Sequence, residues 1–196
     1  MATGLPLRIP PTLRWTESEF GEWVKANPDW RWELTADGQL IAMAPTAGET
    51  GRFNLELAVA LSLWNRQTGL GYAFDSSTGF RLPNGAIRSP DVAWIPKEKW
   101  DGLTPEQRRG FAPVCPDFVV ELLSPSDDKS LVQAKLQEYL DNGARLGWLI
   151  DPQTRTVTIY RPQQPPQTVD FAQPLTGDDV LPGLMLDLTS IFGTND

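Results

Sequence analysis

Pro116-Asp117-Phe118-Val119-Val120-Glu121-Leu122-Leu123-Ser124-Pro125-Ser126-Asp127 is an apolar, β-rich run broken by one acid, Glu121, and closed by a Ser-Pro-Ser turn. Apolar residues on both sides of that acid read as a central strand, 118–123, covered on both faces. An unpaired carboxylate is costly to bury in such a run, so a cation, hydrogen bonds or a proton must accompany Glu121. A second stretch, Ser89-Pro90-Asp91-Val92-Ala93-Trp94-Ile95, begins with an acid and continues as a strand over 91–95. Two carboxylates brought together from separate strands suit a divalent metal, because hard cations take oxygen ligands. The plainer alternatives are strand-end acids facing water, or Glu121 paired with an arginine such as Arg81 or Arg88.

The surroundings of these strands predict an α+β or α/β sandwich around one mixed sheet. Thr16, with Glu19 three residues on, is a capping box for a helix over 17–26, with Phe20, Trp23 and Val24 on one face. The alternating segment 30–34, the turn Ala36-Asp37-Gly38 and the segment 39–44 predict a hairpin. Small residues over 45–51 read as a loop. They feed a long helix, 52–67, with Phe53, Leu57, Leu61 and Trp64 at helical spacing and Gly69 as its cap. Short strands over 72–74 and 78–82 and the Asn84-Gly85 turn lead into the Asp91 strand. A surface helix begins at Thr104 with Pro105 in its first turn. Beyond Glu121, Ser126 or Asp127 is the expected cap of a helix over 128–142. Strands over 147–150 and 156–160 follow, then a Pro/Gln-rich surface segment, 162–167, and an apolar tail over 181–192 that packs on the body. Residues 1–15 read as an extended arm and 16–192 as a single domain.

Composition excludes more than it identifies. The 196 residues contain no histidine, which removes Ser-His and Cys-His nucleophiles, imidazole zinc sites and histidine bases. Chemistry must rest on carboxylates, Lys, Arg, Tyr or hydroxyls. Cys115 is the single cysteine, so there is no internal disulfide, and a reducing, cytoplasmic setting is expected. A formal net charge of −8 counts against nonspecific nucleic-acid binding, which usually needs a basic surface, although a local basic patch or a bound metal reverses the field at a site. No apolar run reaches the length of a membrane span, and no signal-peptide pattern opens the chain.

Lys135 is the next candidate. It falls inside the apolar arc of Leu131, Val132, Leu136, Tyr139 and Leu140, towards one edge. Its amine either snorkels outward or points at acids under the helix, over the end of the Glu121 strand. Glu33, Glu49 and Glu56 are candidates for a third carboxylate, and the sequence does not choose among them. Glu49 also has an adequate role as an acid before a helix N-terminus.

Several motifs together carry a family resemblance. They are Met43-Ala44-Pro45-Thr46, Gly48-Glu49-Thr50-Gly51, Asp75-Ser76-Ser77-Thr78-Gly79-Phe80, Ser89-Pro90-Asp91, Pro116 to Glu121, Gly143 to Pro152 and Leu181-Pro182-Gly183. Over 16–192 the chain resembles the Uma-two family of restriction-endonuclease-like proteins. The resemblance implies a PD-(D/E)XK nuclease core: a mixed β-sheet flanked by helices, with a site for one or two Mg²⁺ or Mn²⁺ ions at a sheet edge. It implies Asp91 and Glu121 as metal ligands and Glu49 or Glu56 as the helix-borne acid. DNA as substrate and a homodimer also follow by analogy. Two departures stand out. The nuclease signature places a basic residue two after the acid, where this chain has Leu123, so Lys135 would have to substitute from the neighbouring helix. A histidine common at the start of the long helix is also missing. The expected activity is metal-dependent DNA hydrolysis. The alternative is a catalytically impaired nuclease fold acting as a binding or dimerisation module, which a tryptophan-rich surface would permit.

Overall fold

The computed structural model describes residues 10, 12–43 and 45–193. Most of the expected arm, 1–9 and 11, lies outside the described residues, as does Ala44. Helix α1 (Glu17–Ala26) carries the expected capping box: Glu19 N–H donates to Thr16 Oγ1 at 3.3 Å, and the Glu19 carboxylate accepts the Thr16 N–H at 2.8 Å. It buries Phe20 with Trp32, Leu34 and Leu40 of the antiparallel hairpin β1 (Arg31–Leu34) and β2 (Leu40–Met43).

Helix α2 (Gly48–Thr68) starts at Gly48 rather than at 52. Gly48, Thr50 and Gly51 are weak helix formers, but no proline interrupts the segment after Pro45. Glu49 in the first turn offsets the N-terminal dipole, and packing of the long apolar face outweighs local propensity. At the other end Gly69 takes the left-handed conformation (φ 67°) and donates to Asn65 O at 2.8 Å.

Strands β3 (Gly71–Asp75), β4 (Phe80–Arg81) and β5 (Ile87–Arg88) follow, then β6 (Val92–Pro96). The Asn84-Gly85 turn joins β4 to β5, with Gly85 at φ 89° and its N–H on Leu82 O. Two short helices, α3 (Lys97–Asp101) and α4 (Pro105–Arg109), precede β7 (Phe118–Leu122). The α3 helix was not expected; it buries no residue, so it leaves no apolar period to read. Helix α5 (Lys129–Asp141) is capped by Asp128, whose Oδ1 accepts the Ser130 N–H at 2.9 Å, and not by Ser126 or Asp127. Asp127 Oδ2 instead accepts the Ser124 N–H and closes the preceding turn.

The chain continues with β8 (Leu146–Asp151), β9 (Thr156–Tyr160), β10 (Gln167–Asp170), β11 (Leu175–Thr176), β12 (Met185–Leu186) and α6 (Leu188–Phe192). The β10 strand, also unexpected, is polar and pairs only with β9 at the sheet edge.

The central sheet runs β10-β9-β8-β7-β6-β3. Its β7–β8 pair is parallel and every other pair antiparallel, which makes it the expected mixed sheet. The parallel pair requires a crossover, and α5 supplies it. A four-stranded sheet, β2-β1-β5-β4, lies beside it. Strand alternation sorts the central strands between two cores. Val92, Trp94, Phe118, Val120 and Leu122 face α2 through Phe53, Leu57, Leu61 and Trp64, and the tail residues Leu181, Leu184, Leu188 and Ile191 join them. Ala93, Ile95, Val119, Leu123 and Leu149 face α5 through Leu136 and Tyr139. By the same alternation, Glu121 belongs to the α5 face. Trp30 is the exposed tryptophan, at 47%; the others are buried or half-buried, so the tryptophan-rich surface is not there. Among the described residues no helix is long and apolar enough to cross a membrane.

Candidate active site

The β6–β7 register decides where the two acids meet. Val92 pairs with Val120 and Ala93 with Val119, so one step further along this antiparallel ladder Asp91 falls opposite Glu121. Asp91 closes that step itself: the Leu122 N–H donates to its Oδ2 at 2.8 Å. Its other oxygen, Oδ1, accepts from Asn54 Nδ2 of α2 at 3.1 Å. Burial raises the Asp91 carboxyl above the usual aspartate range, against the pull of that Leu122 hydrogen bond and of the Lys135 charge.

Glu121 is 6% exposed, which removes the reading of a strand-end acid facing water. Its partner is neither Arg81 nor Arg88 but Lys135, whose Nζ lies 2.8 Å from Glu121 Oε1. Arg81 pairs with Glu17, and Arg88 with Glu33 and Glu138. Burial pushes the Glu121 pKa up to about 8; Lys135 opposes the rise, and the nearby charges of Asp91 and Glu33 add to it.

Lys135 does not snorkel. Its side chain is 13% exposed and its amine turns inward, pairing with Glu33 Oε1 as well as Glu121 Oε1, each at 2.8 Å, and donating to Ser89 O at 3.1 Å. The amine is thus enclosed by two carboxylates and one carbonyl oxygen. The two carboxylates hold the amine charged despite its burial, with its pKa above that of an ordinary lysine. At Glu33 burial works upward, but Lys135 and Arg88 together bring the carboxyl below its usual range. Arg88 continues the chain of charge to Glu138, 2.6 Å from its Nε, and the Ser89 N–H donates to Glu33 Oε1 at 2.8 Å. The segment just before Asp91 is therefore tied to α5 and β1. A surface pocket of about 440 Å³, lined by Ile41, Arg88, Leu131, Val132, Lys135 and Glu138 among others, opens over this group.

Of the three further acids, the structure brings Glu33 into the cluster and leaves Glu49 and Glu56 exposed on α2, outside its ion pairs. Glu49 lines a separate pocket of about 340 Å³ with Phe53, Leu123, Pro125 and Pro152. Leu123, at the position where the nuclease signature has a basic residue, is buried in the α5 core, and the ammonium that reaches Glu121 comes from the helix instead. Asn54 and Glu138 escaped the sequence reading as members of the site, and Arg88 entered it only as a possible partner of Glu121. Glu138 had a usable signal, because it stands three residues from Lys135 and so shares its helix face. Arg88 directly precedes Ser89-Pro90-Asp91. Asn54 carries no pattern beyond its place between the buried Phe53 and Leu57. Cys115 is buried, its thiol pushed up to about 12 by that burial, which leaves it inert.

Among the described residues, no three His, Cys, Asp or Glu side chains are grouped so as to hold a metal ion. Two carboxylates and one amide do converge at the end of β6 and β7, and Asn54 Oδ1 is a buried acceptor with no hydrogen-bond donor. An all-oxygen donor set of that kind fits a hard divalent cation.

The chain is similar to a crystal structure from Anabaena variabilis described as a "putative nuclease belonging to DUF820". The TM-score is 0.76 at 24% identity, covering 91% of this chain and 99% of that one. At that identity the likeness establishes the shared fold. No curated protein matches the chain. The pattern of the Uma2 family, described as "Putative restriction endonuclease", matches residues 17–189, and the chain therefore belongs to the Uma2 family.

Proposed function

We propose that this protein is a metal-dependent endonuclease that hydrolyses DNA phosphodiester bonds, with Asp91 and Glu121 holding Mg²⁺ or Mn²⁺ and Lys135 beside them. The observation that carries the reading is the buried Lys135 amine. It stands at the end of the two strands, 2.8 Å from Glu121, although the residue two after Glu121 is apolar. The bound cation would polarise a phosphoryl oxygen and lower the pKa of a water. In the metal-free protein Asp91 is held by Leu122 N–H and Asn54. Lys135 balances the acids in the absence of a cation. With a cation held by Glu121, the Lys135 amine would be available to steady developing negative charge. Glu33, Arg88 and Ser89 keep the amine in place meanwhile.

The test is cleavage of plasmid and single-stranded DNA with Mg²⁺ or Mn²⁺, using Asp91→Ala and Glu121→Ala as controls. Cleavage that disappears in both variants supports the assignment; cleavage that survives both overturns it.

One observation favours a second reading, a nuclease fold that binds a partner without cutting. The Lys135 amine is already neutralised within the fold, ion-paired with Glu33 and Glu121 and donating to Ser89 O. That reading expects no turnover and no Asp91-dependent metal site by calorimetry.

Dimerisation is part of the same proposal. Leu55, Val59 and Leu63 recur every four residues along α2 and are 62%, 42% and 53% exposed, an apolar stripe that a second copy would cover. The wild type is expected to sediment as a dimer and Val59→Asp as a monomer. A wild type that sediments as a monomer at micromolar concentration rules the dimer out.

A further inference from the structure

Asn54 has one satisfied end and one unsatisfied end. Its Nδ2 donates to Asp91 Oδ1 at 3.1 Å, while its Oδ1 is buried and accepts nothing. A buried acceptor without a donor is costly and rare in folded proteins, and a missing ion is one of its standard explanations. The two ends of a side-chain amide have the same shape, so the group can turn about its last bond without repacking. Turned halfway round, Asn54 would set its Oδ1 against Asp91 Oδ1. Two oxygens repel in that arrangement unless a cation lies between them.

The position is also the right one. The family resemblance implies a helix-borne acid on α2, at Glu49 or Glu56, and both are exposed. Asn54 lies on the same helix, half-buried, flanked by Phe53 and Leu57, which face the sheet. Charge argues the same way. Asp91, Glu121 and Glu33 already crowd one ammonium, and burial lifts both Asp91 and Glu121. A fourth buried carboxylate would add repulsion with no cation present. A neutral amide oxygen completes a hard-cation site without that cost.

We propose that Asn54 is the third protein ligand of the cation, contributing its Oδ1 from α2 alongside Asp91 and Glu121. This rests on the metal reading given above. The test is Mn²⁺ titration by calorimetry of chelator-stripped wild type, Asn54→Leu, Asn54→Asp and Asp91→Ala, with Mn²⁺-soaked wild-type crystals inspected for anomalous density. Asn54→Leu is expected to weaken Mn²⁺ binding by at least about tenfold, Asn54→Asp to keep or tighten it, and Asp91→Ala to abolish it. The Mn²⁺ peak is expected at roughly 2.0–2.3 Å from the Asn54 side-chain oxygen. Binding that depends on Asp91 but is unchanged in Asn54→Leu overturns the assignment of Asn54 and leaves the metal site standing. So does a peak on Asp91 with Asn54 Nδ2 still donating to it. A wild type that binds no Mn²⁺ overturns the metal reading itself, and the Asn54 assignment with it. Thermal melting checks that the variants fold, and the wild-type soak decides the matter if Asn54→Leu does not.

Discussion

Lys135→Met is expected to lower the unfolding free energy of the metal-free protein by about 3–5 kcal/mol at pH 8, measured by urea denaturation. Methionine fills nearly the same volume, so the loss is electrostatic rather than a cavity effect. Glu33 and Glu121 each lose an ion pair at 2.8 Å, and Ser89 O loses a donor. Both acids are buried and cannot fall back on water. Glu33 keeps Arg88 at 3.1 Å, whereas Glu121 keeps no other cation. The damage therefore concentrates on Glu121, and Lys135→Met/Glu121→Gln is expected to recover a substantial part of it. At pH 5 the single variant loses less, because Glu121 takes up a proton and no longer needs the amine. A loss below about 1 kcal/mol at pH 8 would mean that the amine is hydrated and that the cluster is not a closed unit.

The same residues show how far sequence carries. The β7 strand was legible because five apolar residues surround Glu121, and burial on both faces of a sheet leaves that signature. The capping box of α1, the Gly69 end of α2 and the Asn84-Gly85 turn were legible because each rests on local chemistry. The start of α2 was not: a glycine-rich segment is helical here because of what the rest of the helix packs against, and single-residue propensity does not contain that. The α3 helix and the β10 strand were missed for a related reason, since a short exposed helix and a polar edge strand bury too little to imprint a period. At the site, Glu121 and Lys135 could be named because each breaks an apolar pattern, and Asp91 because it opens one. Which carboxylate joined them could not, because Glu33 comes from a hairpin more than fifty residues upstream of Arg88 and Ser89, its partners there. The Arg88–Glu138 pair and the Asn54–Asp91 bond have the same non-local character, separated by 50 and 37 positions in the chain.

Glu121→Gln is expected to remove most of the pH dependence that the wild type shows in chelator. The wild-type carboxyl has a pKa of about 8 when folded, raised from 4.5 by burial first, with Asp91 and Glu33 adding to the rise and Lys135 opposing it. Between those two values the folded protein keeps a proton that the unfolded chain has lost. Folding stability therefore falls as pH rises through that window, by up to about 1.4 kcal/mol per pH unit, and levels off above it. Burial shifts the Asp91 carboxyl in the same direction and steepens the fall. Glu33, held below its usual range, acts only at the acid end, where stability is lost as pH drops through its folded pKa. Glutamine keeps the size and the acceptor for Lys135 but has no proton to lose. The variant is expected to match the wild type near pH 5 and to exceed it by on the order of a few kcal/mol at pH 9. Urea denaturation of both proteins across pH 5 to 9 reads the difference directly, and parallel profiles would show that Glu121 ionises as freely in the folded chain as in the unfolded one. A cation bound at Glu121 acts in the opposite sense, because it favours the ionised form. Added Mn²⁺ is therefore expected to flatten the wild-type profile and to leave that of Glu121→Gln nearly unchanged. The acid that destabilises the metal-free fold at neutral pH is thus the same acid that would make the fold selective for its metal-bound state.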